Sequence, residues 1–126
     1  MSMPATPIDI VRRFCDTWST GDLDALMAFF TADAVYHNIP VAPVEGVDAI
    51  RQTIAGFTTG VKQVSFDVRH IAAAGDVVLT ERVDIFEFDG GRVELPVSGT
   101  FELRDGKITA WRDYFDMNQF MSQLPK

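Results

Sequence analysis

Apolar residues near the start of the chain recur with the spacing of an α-helix. Thr6-Pro7-Ile8-Asp9 is typical of a helix start, because threonine is a good cap, proline fits the first helical position and an acidic residue follows three positions after the cap. Gly21 is expected to end this helix. Its apolar face consists of Ile10, Val11, Phe14, Cys15 and Trp18.

Three further segments have helical spacing. A short helix begins at Asp22, and its apolar residues are Leu23, Leu26, Met27, Phe29 and Phe30. A third helix begins at Gly46, and its apolar residues are Val47, Ile50, Ile54 and Phe57. A last helical run closes the chain and contains Met117, Phe120, Met121 and Leu124.

The remaining segments change to the two-residue period of β-strands. Residues 31–40 form a strand whose one side carries Ala34, Tyr36 and Asn38 and whose other side carries Val35, His37 and Ile39. From residue 61 onward, four extended segments are separated by hairpin-type turns at Gly75-Asp76, Asp89-Gly90-Gly91 and Asp105-Gly106. We expect one α+β domain over residues 1–126, with helices packed on one face of the sheet.

Charge and composition narrow the range of partners. The 126 residues carry 11 Lys and Arg against 18 Asp and Glu, a formal net charge of −7. Binding to nucleic acid or anionic lipid begins at clustered basic residues, so we expect no nucleic-acid or membrane partner. No apolar run reaches the roughly 20 residues of a membrane-spanning helix, and residues 1–6 lack the features of a secretory signal. With a single cysteine and no internal disulfide, the chain is expected to be cytoplasmic.

Two predicted strands place charged residues among apolar ones. Arg82 and Asp84 share one side of a strand whose two sides are both mostly apolar, so both charges are expected to be buried. Asp113 likewise alternates with Trp111 and Phe115. An unpaired buried charge is very unfavourable, whereas one arginine between two aspartates is paired. The spacing alone leaves two interpretations open, a structural ion-pair network and a catalytic site.

Polar and aromatic residues could complete such a site. Tyr36 and Asn38 lie two apart on one strand side and offer a phenol and an amide, which are groups that can hold a water molecule. Apolar residues from other segments could line a pocket for a water-poor substrate, or they could simply form core. These residues are Trp18, Phe57, Phe66, Phe86, Leu95, Val97, Phe115 and Phe120.

Other chemically active residues form no recognisable site. Cys15 lies on an apolar helix face without a basic neighbour and is predicted to be a small buried hydrophobic residue. His37 and His70 show neither metal-ligand spacing nor a Ser-His-Asp arrangement. Asp116 is expected to cap the last helix. Because no phosphate loop or dinucleotide fingerprint is present either, we predict neither a metal nor an organic cofactor.

Three segments resemble the limonene-1,2-epoxide hydrolase family, and they are Tyr36-His37-Asn38-Ile39-Pro40, Arg82-Val83-Asp84 and Trp111-Arg112-Asp113-Tyr114-Phe115-Asp116. The resemblance covers nearly the whole chain. It implies the cone-shaped NTF2-like (SnoaL-like) fold, named after nuclear transport factor 2. In that fold, N-terminal helices pack in a strongly curved, mixed and mostly antiparallel sheet that encloses one deep pocket. Isomerases, polyketide cyclases, dehydratases and binding domains share the fold, so the fold alone does not define an activity.

The same resemblance implies a role for each polar residue of the motifs. Asp113 would deprotonate a water molecule that Tyr36 and Asn38 hold in place. Asp84 would protonate the epoxide oxygen, and Arg82 would bridge the two carboxylates. The expected reaction adds water to a small apolar epoxide in one step, without a covalent enzyme ester, and gives a vicinal diol. Two carboxylates in one dry pocket suit this reaction, because like charges close together share a proton and supply one acid and one base.

Three alternatives stay open. A ketosteroid-isomerase-like enzyme would use a carboxylate near the end of the first strand and a tyrosine on the helical side, whereas this chain has Asn38 and no tyrosine in its first helix. A polyketide-cyclase-like enzyme could use an aspartate in an apolar pocket. A non-catalytic, dimeric module that binds small ligands could retain the ion pairs alone. We also expect a homodimer through the outer sheet face, because the outward positions of the Arg82 strand are mostly apolar.

Overall fold

The computed structural model describes residues 5–125 of the chain. The prediction of one domain over residues 1–126 includes residues 1–4 and 126, which lie outside the described residues. The helices are α1 (Pro7–Thr17), α2 (Leu23–Met27), α3 (Val47–Phe57) and α4 (Met117–Gln123), and a 3₁₀ turn follows α1 at Trp18–Thr20. The strands are β1 (Phe30–Asn38), β2 (Val44–Glu45), β3 (Gln63–Ala74), β4 (Val77–Phe88), β5 (Gly91–Arg104) and β6 (Lys107–Tyr114).

The ends of the helices follow from local chemistry. The Thr6 side chain accepts a hydrogen bond from the backbone N–H of Asp9, and the Asp9 carboxylate accepts one from the N–H of Thr6, each at 3.1 Å. This reciprocal cap confirms the predicted start of α1. Gly21 ends the helical segment with a φ of 70°, which glycine adopts without strain. Asp116 caps α4, as predicted. Within residues 5–125, none of the helices combines the length and the apolarity needed to cross a bilayer.

The six strands form one curved sheet in the order β2-β1-β6-β5-β4-β3. Strands β3 to β6 are consecutive antiparallel neighbours, joined by tight turns at the predicted positions. Strand β1 instead runs parallel to β6, with Tyr36 opposite Trp111 and Asn38 opposite Asp113. The prediction of an α+β fold with helices on a mixed, mostly antiparallel sheet is therefore confirmed.

Two details of the predicted elements are wrong. The spacing predicts Phe29 and Phe30 in the second helix, whereas α2 ends before them and Phe30 begins β1. Phe30 pairs with Ile108 of β6, and its ring packs edge-on against Phe14 with the centroids 5.4 Å apart. These tertiary contacts override the local spacing. Strand β2 is also absent from the prediction, because two residues are too few to show a period.

The core lies between the inner face of the sheet and the helices. Fully buried Phe14 of α1 is at its centre. Five aromatic rings have centroids within 6.1 Å of the Phe14 ring, and they belong to Trp18, Phe29, Phe30, Phe101 and Trp111. This edge-to-face packing fixes α1 against strands β1, β5 and β6, so the polar groups of those strands are held in fixed positions.

Candidate active site

A group of charged side chains lies on the inner face of the sheet. Strand β4 directs Thr80, Arg82 and Asp84 inward, because alternate residues of a strand share a face. Strand β6 contributes Asp113 from the other side of β5. The exposed fraction is 1% for Arg82 and 3% for each aspartate. The structure therefore brings the three charged residues that the strand pattern indicated into one place, away from water.

Arg82 bonds both aspartates. Its Nε and Nη2 donate to the Asp84 carboxylate at 2.9 and 2.8 Å. Its Nη1 and Nη2 donate to Asp113 at 3.2 and 2.8 Å, and Nη1 also donates to Thr80 Oγ1 at 3.1 Å. All five N–H groups of the guanidinium are therefore used. Removal of one partner from a buried pair of this kind typically costs about 3–5 kcal/mol.

Two aromatic rings lie close to the Arg82 guanidinium. Arg82 Cζ lies 4.5 Å from the centroid of the Phe66 ring and 6.0 Å from that of Phe101. Contacts of this type attract a cation to the ring face and exclude water. The guanidinium is thus held by hydrogen bonds and by contacts with aromatic rings.

Two residues that the sequence did not indicate as site residues touch the group directly. The indole Nε1–H of Trp111 donates to Asp113 Oδ1 at 2.7 Å. Gly99 of β5 lies between Thr80 and Asp113 in the sheet register, and a Cβ there would overlap Arg82 Nη1. Strand period could have pointed to Trp111, which lies two residues before Asp113, but no sequence signal marks Gly99.

Tyr36 and Asn38 border the same region from β1. The parallel register sets Asn38 opposite Asp113, and the Tyr36 hydroxyl donates to Asn38 Oδ1 at 3.1 Å. The Tyr36 ring stacks on Trp111 with the centroids 4.2 Å apart. This arrangement leaves the Asn38 amide N–H groups and the Tyr36 oxygen able to bond a water molecule.

Burial changes the protonation of these groups. It raises the pKa of the Asp84 carboxyl to about 6, because the loss of solvent outweighs the bonds from Arg82. Burial opposes the charge on Arg82, but the carboxylates of Asp113 and Asp84 raise the pKa of the guanidinium well above its usual value. Burial, together with the Asp113 charge, also raises the pKa of the Tyr36 phenol. Near neutral pH, the group therefore contains a permanent cation and a neutral phenol beside the two carboxyls.

An apolar cavity of about 160 Å³ opens beside these polar groups. Its polar lining consists of Tyr36, Asn38, Asp84 and Asp113. Seven of the eight apolar residues predicted for a pocket line it, and they are Phe57, Phe66, Phe86, Leu95, Val97, Phe115 and Phe120. Val41 and Met117 line it as well. The sequence did not indicate these two, because a turn and a short terminal helix have no period that reveals which residues point inward.

Trp18, the eighth residue predicted to line the pocket, lies elsewhere. It is 2% exposed and is not among the residues that line this cavity. Its ring stacks on Phe66 and Phe57, with the centroids 4.6 and 6.1 Å apart, so it supports the cavity wall from behind. Trp18 borders a second cavity of about 370 Å³ beside α2, α3 and β3. Within the described part of the chain, its buried Nε1–H has no hydrogen-bond partner.

The residues that the sequence did not favour as catalytic lie outside the cavity lining. Cys15 is buried in the core, and burial raises the pKa of its thiol to about 12. His37 Nε2 lies 3.0 Å from the backbone oxygen of Val41, and exposed His70 pairs with Glu81. In residues 5–125, no three His, Cys, Asp or Glu side chains are grouped as metal ligands would be.

Comparison with known sequences places this chain in a family. A model of the limonene-1,2-epoxide hydrolase catalytic domain matches residues 5–126. Epoxide hydrolase EphG of Mycobacterium tuberculosis is 36% identical to this chain over 116 residues, which cover 90% of this chain and 76% of EphG.

Solved structures share the fold. The structure of an LEH-like epoxide hydrolase from M. tuberculosis matches with a TM-score of 0.81 at 33% identity, over 92% of this chain and 86% of that chain. A structure described as a SnoaL-like polyketide cyclase from Shewanella putrefaciens matches with a TM-score of 0.84 at 19% identity, over 97% of both chains, which shows the fold alone. The family match and the EphG relationship together mean that this chain belongs to the limonene-1,2-epoxide hydrolase family of epoxide hydrolases.

Proposed function

We propose that this protein adds water to a small, neutral, apolar epoxide in one step and releases a vicinal diol. The observation that carries the proposal is the pair of buried carboxyls, Asp84 and Asp113, which Arg82 bridges at the polar end of an apolar cavity. Epoxide opening needs both a base and an acid, because near pH 7 water is a weak nucleophile and an alkoxide is a poor leaving group.

In the proposed step, Asp113 takes a proton from a water molecule held by Tyr36 and Asn38. The water oxygen attacks one epoxide carbon, the bond from that carbon to the ring oxygen breaks, and the ring oxygen takes the proton of Asp84. Asp84 suits the role of acid because burial raises its pKa to about 6. Asp113 suits the role of base because it accepts three N–H donors, which favour its charged form. Each positioned group of this kind typically contributes about 10²- to 10⁴-fold in rate.

The net charge of the group stays constant during this step. One guanidinium, one carboxylate and one carboxylic acid sum to zero both before and after the reaction, since Asp113 gains a proton as Asp84 loses one. A buried site that creates no new net charge avoids the large free-energy cost of ionisation away from water. The enzyme is reset when the proton returns from Asp113 to Asp84.

The lining limits the substrate that this site would accept. Apart from Asp84 and Asp113, the described residues that line the cavity are neutral, so a charged substrate would lose its hydration without gaining a partner. The volume of about 160 Å³ is close to that of engineered apolar cavities of roughly 150 Å³ that hold benzene. These properties favour a compact epoxide whose three-membered ring lies against the carboxyls.

The test is a single turnover in ¹⁸O-labelled water with a panel of small apolar epoxides. Labelled diol is the expected result, and unlabelled diol on the first turnover would mean that an enzyme oxygen attacks. Asp113→Asn and Asp84→Asn are each expected to lower kcat at least about 100-fold while the protein stays folded. Asp16→Asn makes the same change at an exposed carboxylate of α1 and is the matched control. Retained activity in either site variant would remove that residue from its role.

The alternative activities give different outcomes in the same assay. A binding module would retain the epoxide without turnover, and an isomerase or cyclase would convert its substrate without incorporating the label. Asn38 argues against the isomerase, because an amide cannot act as the base that a carboxylate would supply at that point of β1.

We further propose that two copies of the chain pack through the outer face of the sheet. Leu79 and Tyr114 are 52% and 46% exposed on that face, and Val83 and Ile85 are half-buried there. Exposed apolar residues on one face are typical of an interface between identical subunits. Sedimentation velocity is expected to show a dimer for the wild type and a monomer for Leu79→Arg. A monomeric wild type would refute the proposal.

A further inference from the structure

The two carboxyls that Arg82 bridges have different surroundings, and the difference comes from Trp111. Arg82 donates two hydrogen bonds to Asp84 and two to Asp113, at distances of 2.8 to 3.2 Å, so the guanidinium by itself selects neither. The indole N–H of Trp111 adds a third bond, at 2.7 Å, to Asp113. Among the described residues, Trp111 is the one side-chain donor other than Arg82 that contacts either carboxyl.

The lone pairs that remain free on each carboxyl show the effect of the hydrogen bond from Trp111. Asp113 Oδ1 accepts from both Trp111 and Arg82, so both of its lone pairs are used. Asp113 Oδ2 accepts only from Arg82 and can still take a proton. Each oxygen of Asp84 accepts one bond, so either can carry a proton without losing a contact. A carboxylate with three donors holds negative charge better than a carboxylate with two.

We propose that Trp111 is a positioning residue that keeps the negative charge on Asp113 and thereby makes Asp113, rather than Asp84, the base. The inference rests on the proposed function, in which the two carboxyls have different roles. Trp111 is fully buried, and its ring stacks on Tyr36 and Phe101 with centroids 4.2 and 5.5 Å away. This packing holds the N–H in its direction toward Oδ1, and Oδ2 is then the oxygen that takes the proton from water.

The other titratable groups around Asp113 do not compete with it for the negative charge. Arg82 and Asp84 face it from β4, Tyr36 faces it from β1 and Cys15 faces it from α1. Burial raises the pKa of the Cys15 thiol to about 12 and raises the pKa of the Tyr36 phenol above its usual value, so both groups are neutral in the working range of pH. Arg82 and the two carboxyls are therefore the groups that set the charge of the site, and the Trp111 N–H bonds Asp113 and not Asp84.

The direct test is Trp111→Phe, which deletes the N–H and keeps an aromatic ring in the stack. We expect kcat/KM to fall about ten- to a hundredfold, as for the loss of a hydrogen bond to a charged group. The loss should grow as the pH falls, because the decline of kcat/KM on the acidic side of the pH profile should begin at a higher pH in this variant than in the wild type. Trp18→Phe is the matched control, since it makes the same change at a buried indole whose N–H has no partner in the described residues. In this control, the decline is expected to begin at the same pH as in the wild type. A loss in Trp111→Phe that is equal at every pH would overturn the proposal.

A second measurement requires neither substrate nor the Trp111→Phe variant. The chain has two tryptophans, so its ¹H–¹⁵N spectrum contains two indole N–H signals, which Trp18→Phe assigns. The Trp111 signal is expected to move upfield in Asp113→Asn and to stay near its wild-type position in Asp84→Asn. Equal movement in both variants, or none in Asp113→Asn, would overturn the inference. Should the wild type produce no diol, the proposed function fails, and the spectrum still tests whether the Trp111 N–H bonds Asp113 rather than Asp84.

Discussion

Gly99 lies where the site is most tightly packed, and it has no side chain to fill the space between Arg82, Asp113 and Thr80. An alanine Cβ at this position would overlap Arg82 Nη1 and approach Asp113 Oδ1 to 2.7 Å and Thr80 Oγ1 to 3.0 Å. Non-bonded heavy atoms are in favourable van der Waals contact at about 3.5–4.0 Å. Because β5 pairs with β4 and β6 on both sides of Gly99, the backbone has little room to retreat. In Gly99→Ala, the guanidinium of Arg82 must therefore move.

This displacement affects both stability and rate. An extra methyl group in a packed interior typically costs about 1–3 kcal/mol. With an unfolding entropy of about 2.1 cal/mol/K per residue, the 126-residue chain should lose roughly 4–11 °C in Tm. The bond from Arg82 Nη1 to Asp113, already 3.2 Å long, is the first to break. A shift of about 1 Å in catalytic geometry typically lowers the rate about 10²-fold.

The assay compares kcat/KM and thermal unfolding of Gly99→Ala with those of Gly91→Ala. Gly91 lies in the same strand, and a Cβ there would meet Pro125 at an ordinary distance of 3.7 Å. The control should therefore stay within about 0.5 kcal/mol of the wild type. Wild-type activity in Gly99→Ala would show that the contact between Nη1 and Asp113 is not required for turnover, and the proposed role of the arginine bridge would then be refuted.

Three further predictions concern pH and the contact between Gln123 and Glu94. Because burial raises the pKa of Asp84 from 3.8 to about 6, its contribution to the free energy of unfolding is fully present below about pH 4 and is lost as the pH rises through about 6. Urea denaturation should show that, between pH 4 and pH 7, the free energy of unfolding of the wild type falls by up to about 3 kcal/mol relative to that of Asp84→Asn. The same pH dependence in the two proteins would contradict this prediction. Ionisation of Asp84 also removes the proposed catalytic acid, so kcat/KM should fall about tenfold per pH unit above pH 6. A value of kcat/KM that stays constant up to pH 8 would contradict this prediction. Gln123→Ala should raise KM more than it lowers kcat, because the Gln123 amide bonds the backbone N–H and C=O of Glu94 at 2.9 and 3.0 Å and so holds α4, whose Met117 and Phe120 line the cavity. An unchanged KM would contradict it.

Interactions between residues close in sequence explain why much of the fold was predictable. The cap formed by Thr6 and Asp9 starts α1, and the turn at Asp105 and Gly106 has the positive φ values, 53° and 78°, that such a hairpin requires. Features that depend on distant contacts were not predictable. The start of β1 at Phe30 depends on its pairing with β6, and the place of Trp18 behind the cavity wall depends on the rings that stack on it.

The sequence by itself determined that Arg82 and Asp84 lie on the same strand face, because a two-residue period assigns faces without reference to the rest of the chain. Only the tertiary structure decided that Asp113, 31 residues further on, meets Arg82 across β5. It also decided that the Trp111 indole is aimed at Asp113 and that Gly99 leaves the space in which they meet. The physical reason is that strand period assigns a face but not a neighbour, since neighbours depend on strand order, register and side-chain packing across the whole sheet.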